Sequence, residues 1–149
     1  MTMTSAIYYI IKCIALIGFL GFFTYEDIKE KQISNRILIA MLIVGVIFTC
    51  VSFNTSVIVS SFVCALITGA ITYLTSLISR GGLGKGDVIL LTITALFIGD
   101  LSMVYIVFLS LLAMFLFTIV ALLLKKINVK SKLPYVPFLL IGTILGSII

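Results

Sequence analysis

The chain has 149 residues, 62% hydrophobic and 10% charged, with no histidine, no tryptophan and a net charge of +5. A soluble domain carries about a quarter of its residues as charges, so this composition excludes an ordinary soluble fold and points to the membrane. The missing histidines remove the commonest catalytic bases, and the basic excess lies in short segments between apolar runs, which argues against a nucleic-acid partner and for contact with membrane lipid.

The first apolar run spans about Ala6 to Tyr25. It lacks a basic stretch at its start and a small-x-small cleavage site, and further apolar runs follow, so it reads as a helix and not a signal peptide. Lys12 is placed to snorkel to an interface. A polar segment, Glu26 to Arg36, leads to a second span from Ile37 to about Phe53, with Ser34 or Asn35 as its cap. Asn54-Thr55-Ser56 turns the chain into a third run that ends near Ser79. The most glycine-dense stretch, GGLGKGD from Gly81 to Asp87, opens a fourth run from Val88 to Ile98. Gly99-Asp100 breaks it, a fifth span runs from Leu101 to about Leu124, and the basic segment Lys125 to Lys132 precedes a last run that begins at Pro134. The expectation is an all-α, polytopic membrane protein with six transmembrane helices, forming one domain over residues 1–149 with no separate soluble domain. Cys13, Cys50 and Cys64 lie inside apolar runs without ligand or disulfide spacing and read as packing residues.

Nine of the ten basic residues (Lys29, Lys31, Arg36, Arg80, Lys85, Lys125, Lys126, Lys130 and Lys132) follow spans one, three and five, and Lys12 stands alone on the other side. Basic residues accumulate in short cytoplasmic loops, so both termini are expected on the non-cytoplasmic side of the inner membrane. Asp27 and Asp87, sixty residues apart, then both sit at cytoplasmic ends of spans. From Asp87 to Gly99 the helix rises roughly 18 Å. The hydrocarbon core is about 30 Å thick, which places Asp87 some way below the cytoplasmic surface.

An acid at that depth costs a few kcal/mol on insertion scales and needs a polar partner or cavity. Two carboxyl groups brought close share a proton, so that one is a base and the other an acid near neutral pH. Such a pair activates water for amide hydrolysis without a metal, a cofactor or a covalent nucleophile. Gly82, Gly84 and Gly86 are expected to let backbone approach a peptide substrate through dihedrals open only to glycine. A plainer role for Asp87 is the N-cap of the fourth helix. For Asp27 that role is harder to sustain, because it ends a helix whose dipole disfavours negative charge. Its i,i+4 spacing to Lys31 is compatible with a solvated face. Asp100 reads as a turn residue, and Tyr25 either as a hydrogen-bond donor beside the acids or as an interfacial anchor.

Leu83-Gly84-Lys85-Gly86-Asp87 before an apolar helix resembles the Gly-x-Gly-Asp motif of intramembrane aspartyl proteases. Asp27-Ile28 followed by Ile33-Ser34-Asn35 resembles the first block of the type IV prepilin peptidases, a branch that includes archaeal preflagellin peptidases. That block is an aspartate, a hydrophobic residue, a short variable stretch and Ile-Pro-Asn; here Ser34 stands for the proline. The second block usually has a lysine soon after the aspartate, where this chain has Val88-Ile89. Pro134-Tyr135-Val136-Pro137-Phe138 is similar to the family's proline-containing lead into its last helix.

The resemblance implies a six-helix endopeptidase that cleaves the short basic leader of prepilins or pseudopilins at the cytoplasmic face, with Asp27 and Asp87 as the catalytic pair and Gly84, Gly86 and Asn35 as supporting motif residues. Bifunctional members also methylate the new N-terminus and carry paired CxxC motifs in an extra domain; this chain has no CxxC and looks like the short form. Glu26 and Glu30, the other acids on the same side, are candidate contacts for a basic leader, diluted by Lys29, Lys31 and Arg36. The competing class is a small transporter or a pilus or secretion assembly subunit whose acids carry ions or meet a partner helix.

Overall fold

The computed structural model describes residues 3–30, 33–52, 54–78, 84–124 and 134–147. All regular structure among them is helical: α1 (Met3–Glu30), α2 (Asn35–Val51), α3 (Thr55–Ile78), α4 (Lys85–Ile98), α5 (Ser102–Leu123) and α6 (Val136–Gly146). The chain is thus an all-α polytopic membrane protein. Three helices, α1 from Ile7, α3 and α5, are long and apolar enough to cross a membrane. The other three fall short of that length; α6, with 11 residues, extends roughly 17 Å.

The surface is that of a protein in lipid. Leu66 on α3, Phe115 on α5 and Ile78 at the end of α3 are 73%, 63% and 82% exposed, which water would penalise at about 25 cal/mol per Å2 of apolar surface. The core is built around α4. Its residues from Leu90 to Ile98 are buried except Thr92, and it packs against α3 and α2, and more lightly against α1 and α5. A helix apolar all round has no solvent face and is driven to the centre. Leu16, Leu20 and Phe23 of α1 and Leu38 and Met41 of α2 complete this core. The α2 stripe Leu38, Met41, Gly45, Thr49 follows the helical period, and Gly45 leaves room for the Phe97 ring. Three buried hydroxyls are satisfied within their own helices: Thr49, Thr94 and Thr143 each donate to the carbonyl four residues back.

α5 and α6 form a tight antiparallel hairpin. A methyl group on Gly142 would lie 2.6 Å from the Ile106 carbonyl oxygen, so only glycine permits this approach. Contacts of Gly69 with Thr92, of Phe117 with Phe138 and of Asp27 with Val136 show that successive helices alternate in direction. The starts of α2, α4 and α6 therefore gather at one end with the finish of α1.

Helix boundaries differ from expectation in informative places. α1 continues through Glu30, so half of the supposed polar loop is helical. α4 begins at Lys85 and takes Asp87 into its first turn. Lys12 does not snorkel: it is 5% exposed and interacts electrostatically with Asp100 at the opposite end of the bundle. Asp100 is the turn residue expected, accepting a bond from the Ser102 N–H after Gly99 ends α4 at φ 77°, a left-handed conformation that favours glycine. Asn54 likewise turns the chain into α3, its side chain accepting from Ser56. Ser34 occupies the N-cap position of α2, but its side chain makes no capping bond.

Candidate active site

Asp27 lies in the last turn of α1 and is buried, 7% exposed, although acids are rarely buried without a partner. Its partner is the start of α6. The Val136 N–H donates to Asp27 Oδ2 at 3.0 Å, and the Tyr135 N–H also bonds this carboxyl. The first N–H groups of a helix have no acceptor inside it and form the positive end of its dipole, so a carboxylate is a suitable ligand for them. Pro134 and Pro137 set this geometry, since proline at the first helical positions sacrifices no internal bond. The dipole conflict at the end of α1 is thus offset by the opposite dipole end of α6.

Asp87 is the third residue of α4, and Gly84 is the N-cap. The simple N-cap role for Asp87 is therefore replaced by a different one: its carboxyl takes a bond from the Gly84 backbone N–H. This reaches back over one turn in the manner of a capping box. Asp87 is half-buried, and its carboxyl interacts electrostatically with those of Asp27 and the phenol of Tyr135. Two acids separated by 60 residues of sequence come within electrostatic reach because α1 ends and α4 begins at the same end of the bundle.

The motif glycines act through space and not through unusual dihedrals. Gly84 has φ −63° and Gly86 is helical; among the described residues only Gly99 has a positive φ, and Gly82 lies outside them. Gly86 faces Ile33, where an added methyl group would sit 3.3 Å from the Ile33 Cβ. The two sequence blocks thus touch each other, Ile33 of the first against Gly86 of the second. At Gly84 an added methyl group would come 3.1 Å from Asp87 Oδ2, so its absence keeps that oxygen uncovered.

The remaining candidates divide. Glu26 is half-buried and accepts a bond from the Ser34 N–H at 3.2 Å, fastening the chain as it turns into α2. Glu30 and Asn35 are exposed, Glu30 at the finish of α1 and Asn35 in the first turn of α2. Lys29 rests over the ring of exposed Tyr25, 5.6 Å from its centre, which favours the anchor role for Tyr25. The pairing of Asp27 with Lys31 falls outside the described residues, as do Arg80 and Lys125 to Lys132.

Two participants carried no acid to advertise them. Tyr135 is 6% exposed, and its hydroxyl lies 3.0 Å from Ser110 Oγ on α5. The signals in the sequence were an aromatic bracketed by Pro134 and Pro137, and a lone serine in the run VFLSLLAM, Val107 to Met114. Among the described residues no three His, Cys, Asp or Glu side chains gather as a metal site requires, and no cation pairs with Asp27 or Asp87. What remains is a pair of like-charged groups at one end of the bundle, Asp27 held by N–H groups of α6 and Asp87 by that of Gly84.

A protein-family model, the type IV leader peptidase family, matches residues 14–122, most of the chain and both aspartates. No curated protein and no solved structure matches the chain.

Proposed function

Since the chain belongs to the type IV leader peptidase family, and is an aspartic endopeptidase that removes the leader of type IV prepilin-like proteins, we propose that Asp27 and Asp87 are its catalytic pair. The observation that carries this is that their carboxyl groups lie within electrostatic reach of one another, without a neutralising cation among the described residues, at the end of the bundle where α6 begins. The family assignment sets aside the transporter and assembly-subunit readings.

The roles follow from the donors. N–H groups bond a carboxyl through its lone pairs, so Asp27, held by α6, is the base that takes a proton from water. The water oxygen adds to the scissile carbonyl carbon. Asp87 carries the proton of the pair and gives it to the carbonyl oxygen; on collapse of the adduct Asp87 takes a proton back from one of its two hydroxyls as the C=O bond re-forms, the C–N bond breaks, and the proton held by Asp27 passes to the leaving nitrogen. The pair then holds one proton, as at the start. Gly84 leaves room beside Asp87 for the substrate backbone, Gly86 lets the second block pack on Ile33 of the first, and Asn35 stands exposed at the start of α2.

The single domain crosses the inner membrane six times, with the pair facing the cytoplasm and both termini on the other side. Lys29, Arg36 and Lys85 lie at the end of the bundle that holds the pair, while Lys12 lies at the other. That distribution supports the orientation through the positive-inside rule. Glu30 is exposed for contact with a basic leader, and Glu26 can add to it while bonded to Ser34.

The test is co-expression with a candidate prepilin in membranes, reading the mass and N-terminus of the product for the native chain, Asp27→Asn and Asp87→Asn. Cleavage lost in both variants at normal membrane abundance is the expected result. Activity retained by either one removes that residue from the pair. The same mass measurement reports whether a methyl group is added, and a reporter after Ile149 found in the cytoplasm overturns the orientation.

A further inference from the structure

Asp27 and Asp87 come from different helices, and nothing in α1 or α4 alone fixes the distance between their carboxyl groups. The start of α6 adds a constraint to the direct packing of α1 on α4. Its first residue bonds Asp27 through the backbone. The residue before it, Tyr135, is buried, with Asp87 within electrostatic reach of its phenol.

We infer that Tyr135 is a positioning residue of the aspartate pair: it opens the turn of α6 whose N–H groups hold Asp27, and its phenol, anchored on Ser110, ties that turn to α5. This inference rests on the assignment of the pair above and adds to it a residue that lies beyond the 14–122 family match.

The hydroxyl chain has a direction. Ser110 Oγ lies 2.8 Å from the Val107 carbonyl and is its donor. A serine hydroxyl has one proton, so with that proton on Val107 the Ser110 oxygen is the acceptor and Tyr135 the donor across 3.0 Å. The phenol proton is thereby committed to α5. The start of α6 is fixed to α5 by this bond, and its N–H groups favour the bare carboxylate at Asp27.

The anchor is rigid. Gly142 brings α6 against the backbone of α5 one face below this bond, and Phe138 packs on Phe117 at a ring separation of 5.3 Å. The groups that face the phenol are Asp87 from α4 and Ser110 from α5, and Asp27 from α1 lies on the backbone side of the same residue.

The experiment measures kcat, KM and the pH profile of leader cleavage for Tyr135→Phe, Ser110→Ala and the double variant, with Asp27→Asn and Asp87→Asn in parallel. Tyr135→Phe keeps the ring and leaves Ser110 bonded to Val107, so the fold is preserved and melting in detergent reports it. The expected result is a fall in kcat of about tenfold at unchanged KM in each single variant, a displaced pH profile, and no further loss in the double variant, because both changes delete one interaction. Full kcat and an unmoved pH profile in Tyr135→Phe overturn the inference, as does a double variant whose loss is the product of the two. If the Asp variants still cleave, it is the pair itself that fails, whatever Tyr135 does.

Discussion

The two ends of the helical bundle treat their acids in opposite ways. At one end Asp100 is exposed in a turn, bonded to the Ser102 N–H, and buried Lys12 lies within its electrostatic reach. Opposite charges near one another lower the cost of keeping either inside a membrane. At the other end Asp27 and Asp87 carry the same sign, and the compensation comes from backbone N–H groups at the starts of α6 and α4. A like-charged pair is unfavourable unless a proton is shared, and sharing one is what the proposed catalysis requires.

The sharpest way to break this comparison is to neutralise acids at each end in turn. Asp27→Asn and Asp87→Asn should each lower kcat by at least about a hundredfold with normal insertion, whereas Asp100→Asn should leave leader cleavage within about twofold. Equal losses at both ends, read by product mass, would mean that the acids are needed for folding and not for hydrolysis. The native enzyme should also lose rate on both sides of an optimum pH, since a base must be unprotonated and an acid protonated at once. Asp100→Asn should leave both limbs in place.

A smaller effect is expected from packing that supports only the catalytic end. Gly142→Ala drives a methyl group at the Ile106 carbonyl and should destabilise by about 1–3 kcal/mol. It should also lower kcat, because α6 shifts away from Asp27. Gly86→Ala asks Ile33 to move by only a few tenths of an ångström, so a milder loss of both is expected. A fall in melting temperature with unchanged kcat in Gly142→Ala would show that α6 can move without disturbing the pair.

The smallest effect distinguishes two uses of Glu26. Glu26→Gln keeps an oxygen for the Ser34 N–H, so stability should hold and KM for a basic-leader substrate should rise only where the charge itself meets the leader. Glu26→Ala removes the acceptor and should cost about 1 kcal/mol. Unchanged KM in both variants, measured with a basic-leader peptide, assigns Glu26 wholly to the turn and leaves Glu30 alone as a leader contact.

Much of this was legible in the residues themselves. Six apolar runs became six helices, because apolar length and turn residues such as Asn54 and Gly99-Asp100 act locally. The two acids stood out because charges are scarce in so apolar a chain. One expectation fails for a plain reason: Gly84 and Gly86 suggested special dihedrals because local sequence was the only guide, and for the same reason the N-cap stood as the plainer alternative for Asp87. Gly86 is instead small because Ile33 lies across from it, and Asp87 bonds backward because α4 starts at Lys85.

The sequence by itself thus determined the class, the helices, the two acids and the charge bias between the ends, all of which depend on residue type and near neighbours. Only the tertiary structure decided that Asp27 is held by α6, that Tyr135 and Ser110 join the site, and that Lys12 is buried near Asp100. Those relations link residues as far as 109 positions apart. They arise from the antiparallel alternation of helices and from close approach at glycine, and neither leaves a periodic trace in the chain.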